Sequence, residues 1–583
     1  MSDAAEGIDC DVLVIGSGAA GLAAAVTAAH HGLSVVVAEK AAVFGGTSAW
    51  SGGWLWIPRN PLAAAAGIDE PPEAPMTYLS SELGNRAGDP RIPVFLENGP
   101  QMVGFFAQHS AVEWVDGNRI PDFHETPGAG RGGRSVTVAP YDGRGLGAWI
   151  DRLRPPLDVT TLAGMGIAGG ADLRHFFNAT RRPASLAHVA RRLARHGRDL
   201  LTHRRGLQLV NGNALVARLL RSALDKGVRL LASAPATALT RETGRVAGAL
   251  LATPAGEIRV RARRGVVLAT GGFPHDPARL QALLGEAQAF GHFSAAVRED
   301  TGDGLRLAEA QGGAIAGDLA AAAAWAPVSL WPRPDGTVAH FPHLIERAKP
   351  GIIAVTPEGR RFVSEADSYH DFVAALQAAT PRGRAPEAWL IADHAALRRW
   401  GLGAVKPFPM PIGPALRSGY LRRGRTLAAL AAACNLPAAA LADTVARFNG
   451  PAARGEDPEF HRGDSAYNRV QGDPDHPGPN PSLAPLATAP FYAVKIVVGS
   501  LGTFDGLRTD PGARVLDAAG RPVPGLFAVG NDMSSIFGGH YPAGGITLGP
   551  GMTFGWIAGR VLAGQPVAGV APDPTGQAEG DPA

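Results

Sequence analysis

Three glycines, Gly16, Gly18 and Gly21, follow an apolar run at residues 12–15 and open an Ala-rich stretch that includes Ala19 and Ala20. The next apolar run, from Ser34, ends in the carboxylate Glu39. This spacing can hold a dinucleotide. The first glycine permits a tight turn, the second lets a pyrophosphate approach the backbone, and the third lets helix and strand pack closely. The helix N-terminus stabilises phosphate charge, and Glu39 suits a ribose hydroxyl while repelling a 2′-phosphate. Lys40 then leads into Gly45-Gly46-Thr47-Ser48 and Ser51-Gly52-Gly53. Two Gly-Gly pairs beside hydroxyls leave backbone N–H groups free to meet an anion or a flavin ring.

The elements that must position these groups are a strand, a glycine turn, a helix and a second strand, together a βαβ unit. The 583 residues exceed what one core holds, and the length predicts three to four domains. At 45% hydrophobic and 18% charged, the composition is that of an ordinary soluble globular chain. A net charge of +3 gives no argument for nucleic acid. Only Cys10 and Cys434 occur, with no metal, haem or iron–sulfur spacing, which suits a reducing compartment. No basic region precedes the first apolar run, which is too short for a signal or a span. The sequence thus predicts a cytoplasmic protein, with peripheral membrane contact left open.

The segment after Glu39 resembles that of the fumarate reductase and 3-ketosteroid dehydrogenase superfamily of flavoproteins, where it wraps FAD. The resemblance implies FAD as cofactor. No His stands between Glu39 and Pro58 to carry it covalently, so noncovalent binding is expected. Later blocks agree: a helix opening near Gly212, strands at residues 228–231 and from Ala236, and Ala-Thr270-Gly271-Gly272-Phe273 after a buried apolar run. Near the C-terminus come Gly530-Asn531-Asp532 and Gly544-Gly545-Ile-Thr547-Leu548 before an apolar helix. In the family that helix points its N-terminus at the flavin pyrimidine. No second GxGxxG marks a nicotinamide site and no CxxxxC pair is present, which leaves a quinone, O2 or a carrier protein as electron acceptor.

The expected fold class is α/β: a discontinuous Rossmann-like FAD-binding domain at residues 1–288 and 490–565, with an inserted α/β (α+β) cap at 289–489. An accessory helical segment occupies 151–206, and a Pro/Gly-rich tail at 566–583 reads as disordered. Within the accessory segment, residues 191–205 form a basic amphipathic helix, either a packed helix with a solvated face or a membrane-surface helix.

In the insertion, residues 350–372 read as a strand, a turn, a second strand and a helix start. The Gly359-Arg360-Arg361-Phe362-Val-Ser-Glu365 block resembles one that meets FAD across the superfamily. Four residues beyond that Glu, soluble fumarate reductases carry a proton-donating Arg; this chain has Tyr369, as the ketosteroid enzymes do. A guanidinium suits protonation of a dicarboxylate's double bond, whereas a phenol can take a proton beside a ketone. His540-Tyr541-Pro542-Ala543-Gly544-Gly545 resembles the element whose Tyr hydroxyl and Gly N–H bind the substrate carbonyl. The resemblance therefore implies Tyr369 as base, Tyr541 and Gly545 as the carbonyl site, and desaturation of a cyclic ketone, a 3-ketosteroid or a smaller ring. Where the steroid enzymes use a further Tyr to support the base, Phe123 stands. Trp54 and His540 complete the expected pocket, with Trp50, Trp56 and Trp114 as further wall or core. The alternatives are alkene reduction of the fumarate reductase kind and a flavin-binding electron carrier without turnover.

Overall fold

A computed structural model describes residues 7–284 and 291–572. Its first sheet has eight strands, with Ile8–Ile15 at the centre between Gly256–Leu268 and Val35–Ala38. Both pairings are parallel, and Arg229–Leu231 and Pro522–Ala528 extend the parallel set on either side. Alternation along the strands explains why the runs are apolar without a polar face. Val12, Val14, Val35 and Val37 face one core, whereas Leu13, Ile15, Val36 and Ala38 face the other. Helices Ala19–His30, Asn211–Asp225 and Leu548–Leu562 cover the first of these faces.

Gly21 permits the tight fit of the first helix: a Cβ there would stand 2.3 Å from the Gly16 carbonyl oxygen. Gly16 itself has φ +107° and lies under residue 269, so any side chain would collide with that backbone.

The insertion builds a six-stranded sheet whose pairings are all antiparallel, an α+β arrangement. Phe491–Thr503 runs through its middle, pairing with Ala323–Pro332, Glu387–Ala392 and Leu421–Gly424. The chain thus stays in the second sheet to residue 503, one strand beyond the expected return at 490. An apolar strand carries no mark of which sheet it joins. The expected start of the insertion, near 289, lies outside the described residues.

Two other local expectations differ. Residues 360–368 form no second strand, because their side chains are committed to a buried ion network described below. The tail is outside the described residues from 573, but 567–570 touch the fold: Asn98 donates to the Ala568 carbonyl at 3.0 Å, and Val567 and Val570 lie against the core. Cys10 and Cys434 are both free and buried.

Candidate active site

One cavity of about 1390 Å³ runs from the glycine turn of the first sheet to the inserted domain. It exceeds the usual volume of a single small-ligand pocket, so it has room for a dinucleotide and a second molecule. At one end its walls are Gly16, Gly18, Ala19, Ala20, Glu39, Lys40, Gly46, Thr47, Ser48, Gly52 and Gly53. Thr270, Gly271, Ala236, Gly530, Asn531, Gly545, Thr547 and Leu548 continue them. Gly21, Gly45 and Gly272 stand behind this wall. Gly45 packs on Val216 and Ala49, and Gly272 donates its N–H to Asp532 at 2.9 Å.

The lining fits a dinucleotide. A Cβ on Gly46 would meet nothing closer than 3.9 Å, so the glycine leaves open space beside Gly18. Glu39 is buried, accepts from the Ser17 and Ala41 N–H groups at 3.1 and 2.8 Å, and still borders the cavity. The Leu548–Leu562 helix directs its N-terminus at the same space.

At the other end two phenols meet. The Tyr369 hydroxyl donates to that of Tyr541 at 2.7 Å, with the rings edge to face at 5.1 Å. Both are buried and both border the cavity. Burial, then the neighbouring Tyr541 and Tyr467, pushes Tyr369 well above the ordinary phenol range; burial pushes Tyr541 up to about 12. The pair is therefore neutral at neutral pH. Gly545, at φ +99°, is pressed so close to residues 54–56 that a Cβ would stand 2.7 Å from the Trp56 nitrogen. Its N–H donates to no protein acceptor among the described residues.

The family described as "FAD binding domain" matches residues 11–548. The chain belongs to it. FAD is its cofactor, and it is a flavin-dependent oxidoreductase. It is 41% identical over 561 residues to the 4-oxocyclohex-2-ene-1-carboxylate 5-dehydrogenase of Sinomonas cyclohexanicum, covering 95% of this chain and 94% of that protein. It is 36% identical over 575 residues to the 3-oxosteroid 1-dehydrogenase of Mycobacterium tuberculosis, covering 95% and 98%. Among solved structures it resembles the 3-ketosteroid Δ1-dehydrogenase of Sterolibacterium denitrificans, solved with 1,4-androstadiene-3,17-dione. There the TM-score is 0.87 at 34% identity, with coverage of 95% of this chain and 99% of the other. A flavocytochrome c3 fumarate reductase shares the fold at a TM-score of 0.62 and 21% identity.

In this flavoprotein Tyr369 opens the helix Tyr369–Ala379, capped by the Ser368 hydroxyl, which accepts from the Asp371 N–H at 3.1 Å. The loop entering that helix is fixed by Glu365, which is fully buried and accepts from Arg361 at 2.9 and 2.8 Å and from Arg462 at 3.0 Å. Burial alone would raise Glu365, but the two guanidiniums hold it below the usual carboxylate range. Removing one partner would leave buried charge uncompensated, a cost of about 3–5 kcal/mol. The Tyr541 loop is pinned at Pro542, whose carbonyl accepts from Tyr78 Oη at 2.6 Å and from the Phe123 N–H at 3.0 Å.

His124 joins the two sides: Nδ1 meets Glu82 at 2.5 Å and Nε2 meets Asp371 at 2.9 Å. Burial opposes its charge, but the two carboxylates push it up to about 10, so it is an imidazolium at neutral pH. Phe123, beside it, stacks on Tyr541 with ring centres 5.7 Å apart.

Trp54 and Trp50 border the cavity. Trp56 instead stacks on Phe95 in the core, and Trp114 donates to the Val103 carbonyl. His540 is not part of the lining; the turn in which its N–H bonds Phe537 directs Tyr541, and not the imidazole, inward. Sequence reasoning missed Asp300, Asp532 and Tyr467. Asp300 accepts from Thr47 at 2.7 Å. Asp532, pushed up to about 6 by burial, binds the Thr270 and Gly272 N–H groups at 2.5 and 2.9 Å and so ties the two downstream glycine blocks together. Its signal was present in the quoted Gly530-Asn531-Asp532 turn. Tyr467 had none, since it lies in a polar stretch outside every motif. Among the described residues no group of His, Cys, Asp and Glu could hold a metal ion.

Proposed function

We propose that this flavoprotein introduces a C=C bond α,β to the carbonyl of a cyclic ketone, a 3-ketosteroid or a smaller ring. The observation that carries this reading is the Tyr369–Tyr541 hydroxyl pair, buried in the same cavity as the dinucleotide-binding turns. Tyr541 and the Gly545 N–H hold the ketone oxygen, and the charge they stabilise as the enolate develops acidifies the α-carbon. Tyr369 takes the α-proton. FAD, when bound, supplies the acceptor for the hydride that leaves the β-carbon. His124 and the Glu365 network keep the base and the carbonyl site in register across the two domains.

The relatives support the substrate class, since an oxocyclohexene carboxylate and a 3-oxosteroid share a ring ketone. The reductase alternative wants a free arginine at the phenols. The buried arginines in the inserted domain have their N–H groups engaged elsewhere: Arg347 on backbone carbonyls, Arg361 and Arg462 on Glu365. Anaerobic mixing with 4-androstenedione, a 5α-reduced steroid, 4-oxocyclohexanecarboxylate, cyclohexanone and succinate tests the reading. Bleaching of the flavin band by a ketone, with enone product, is the expected result; bleaching by succinate alone, or by nothing, overturns it.

We also infer peripheral contact with an anionic membrane surface. No helix among the described residues is long and apolar enough to cross a membrane, but Pro183–His203 buries a largely polar face, on which Val189 is the one apolar residue. Arg192, His196 and Asp199 are buried, whereas Leu186 (58%), Leu193 (44%) and Leu201 (89%) are exposed to solvent. Arg191, Arg198 and Arg204 are exposed with them, a pairing of apolar and basic side chains that suits a lipid interface. Arg182 and Ser185, where this helix begins, border the cavity, so an apolar ketone or quinone can enter from that side. The protein should co-sediment with vesicles containing phosphatidylglycerol and not with neutral ones, and Leu193→Asp/Leu201→Asp should abolish the binding. Equal recovery of both proteins in the supernatant overturns this inference.

A further inference from the structure

A neutral Tyr369 must lose its proton before it can accept another, and its visible partner, Tyr541, is committed to the ketone oxygen. A third phenol lies at hand. Tyr467, in the helix Ala466–Gln471, is buried and borders the same cavity. Its ring centre is 4.6 Å from that of Phe123, which in turn packs 5.6 Å from Tyr369. Its hydroxyl has no hydrogen-bond partner among the described residues and is not sealed from solvent, so it faces the cavity. Phe123 offers no hydroxyl at this junction.

Beside these phenols lies an unusual cation. Arg347 is buried and donates only to the carbonyl oxygens of His343, Glu365 and Asp367, at 2.7, 2.8 and 3.1 Å. No carboxylate pairs with it among the described residues, so its charge favours a nearby anion. Burial outweighs the pull of Arg347 and leaves Tyr467 above the ordinary phenol range. Two carboxylates oppose the cation. Asp371 is paired with His124, and Asp367 accepts from Asn468 at 2.9 Å. Glu125, on the Ala466 N–H, neutral Tyr541, and Lys349, whose ammonium donates to the Gln471 carbonyl at 2.6 Å and is lowered to about 8 by burial, also face this helix.

Resting on the ketone reading, we propose that Tyr467 acts on the reaction through Tyr369, exchanging a proton with it by way of cavity water and stabilising its oxygen through that hydrogen-bonded path once the oxygen is anionic. Tyr369 passes its hydroxyl proton to Tyr467 as Tyr467 releases its own to cavity water. The Tyr369 oxygen then accepts the α-proton. No electron moves in the relay, both phenols end neutral, and the proton released equals the one the substrate loses. Tyr467 is a positioning residue in this scheme.

Tyr467→Phe should slow anaerobic flavin reduction by the ketone about tenfold at pH 8, as for loss of one hydrogen bond to a charged group. It should also displace the pH profile upward by about one unit, because the hydrogen bond that neutral Tyr467 gives the Tyr369 phenolate through water outweighs the repulsion between the two ionised phenols, with unchanged FAD content and KM. Phe123→Tyr in the Tyr467→Phe protein returns a hydroxyl to the junction and should restore rate and profile. Ultraviolet titration of tyrosinate, which needs no substrate, should show a second tyrosine ionising at higher pH in Tyr467→Phe, beyond the loss of one phenol. An unchanged pH profile, or a tyrosinate titration altered only by the loss of one phenol, overturns the relay. If no ketone bleaches the wild-type flavin, it is the ketone reading that fails, and the titration still decides whether the two phenols are coupled.

Discussion

Tyr369→Phe is expected to slow flavin reduction by the ketone about 10³-fold, within the range for loss of a positioned general base, while FAD content stays at the wild-type level. The ring remains to fill its place against Phe123 and Tyr541, so the change removes one oxygen and little packing. The pH dependence carries the argument further. Burial and the neighbouring phenols hold Tyr369 well above the ordinary value of 10. Below that pKa the phenolate fraction grows about tenfold per pH unit. Wild-type rates should therefore climb from pH 6 to pH 9 without a plateau, and the variant should lack the climb. Stopped-flow reduction at several pH values, anaerobic and single-turnover, separates this step from reoxidation. A variant that retains the wild-type rate and profile would place the base elsewhere in the cavity.

The motifs that were legible in the sequence share one property: each is local. The glycine turn, Glu39 and the strand runs declare themselves within some thirty residues, because the phosphate contact and the buried two-faced strand each impose their own spacing. Tyr369 and Tyr541 were legible only through resemblance, since nothing in the spacing of 172 residues says that two hydroxyls will meet at 2.7 Å. Tyr467 and Arg347 left no signal, as a buried cation on backbone carbonyls has no characteristic neighbours in the sequence. The helix Pro183–His203 was legible as amphipathic and basic, but not as to which face turns inward. Asp172 and Asp142 take Arg192 and Arg195, and these partners lie 20 and 53 residues away. The irregular path of residues 360–368 has the same origin. Arg361 and Glu365 suit a helix pair at that spacing, yet the distant Arg462 and Asp457 draw them into one buried cluster.

Tyr541→Phe tests the other half of the chemistry and should lower kcat about 10²-fold with FAD retained, as for loss of one oxyanion donor. Its hydroxyl, pushed up to about 12 by burial, keeps its proton across the working range and can donate to the ketone oxygen, while Tyr369, also raised well above the phenol range, acts as base through the small fraction that ionises. That division of labour between two phenols 2.7 Å apart requires that the ketone oxygen, once bound, replaces Tyr369 as the partner of Tyr541. The variant keeps the Gly545 N–H, so some polarisation of the carbonyl survives and the loss should fall chiefly on kcat, with KM little changed. Its pH profile should still climb, because the base is intact, and this separates it from Tyr369→Phe. A loss confined to KM would make Tyr541 a ground-state binding group. A flat profile would make the pair a single titrating unit in which neither phenol acts alone.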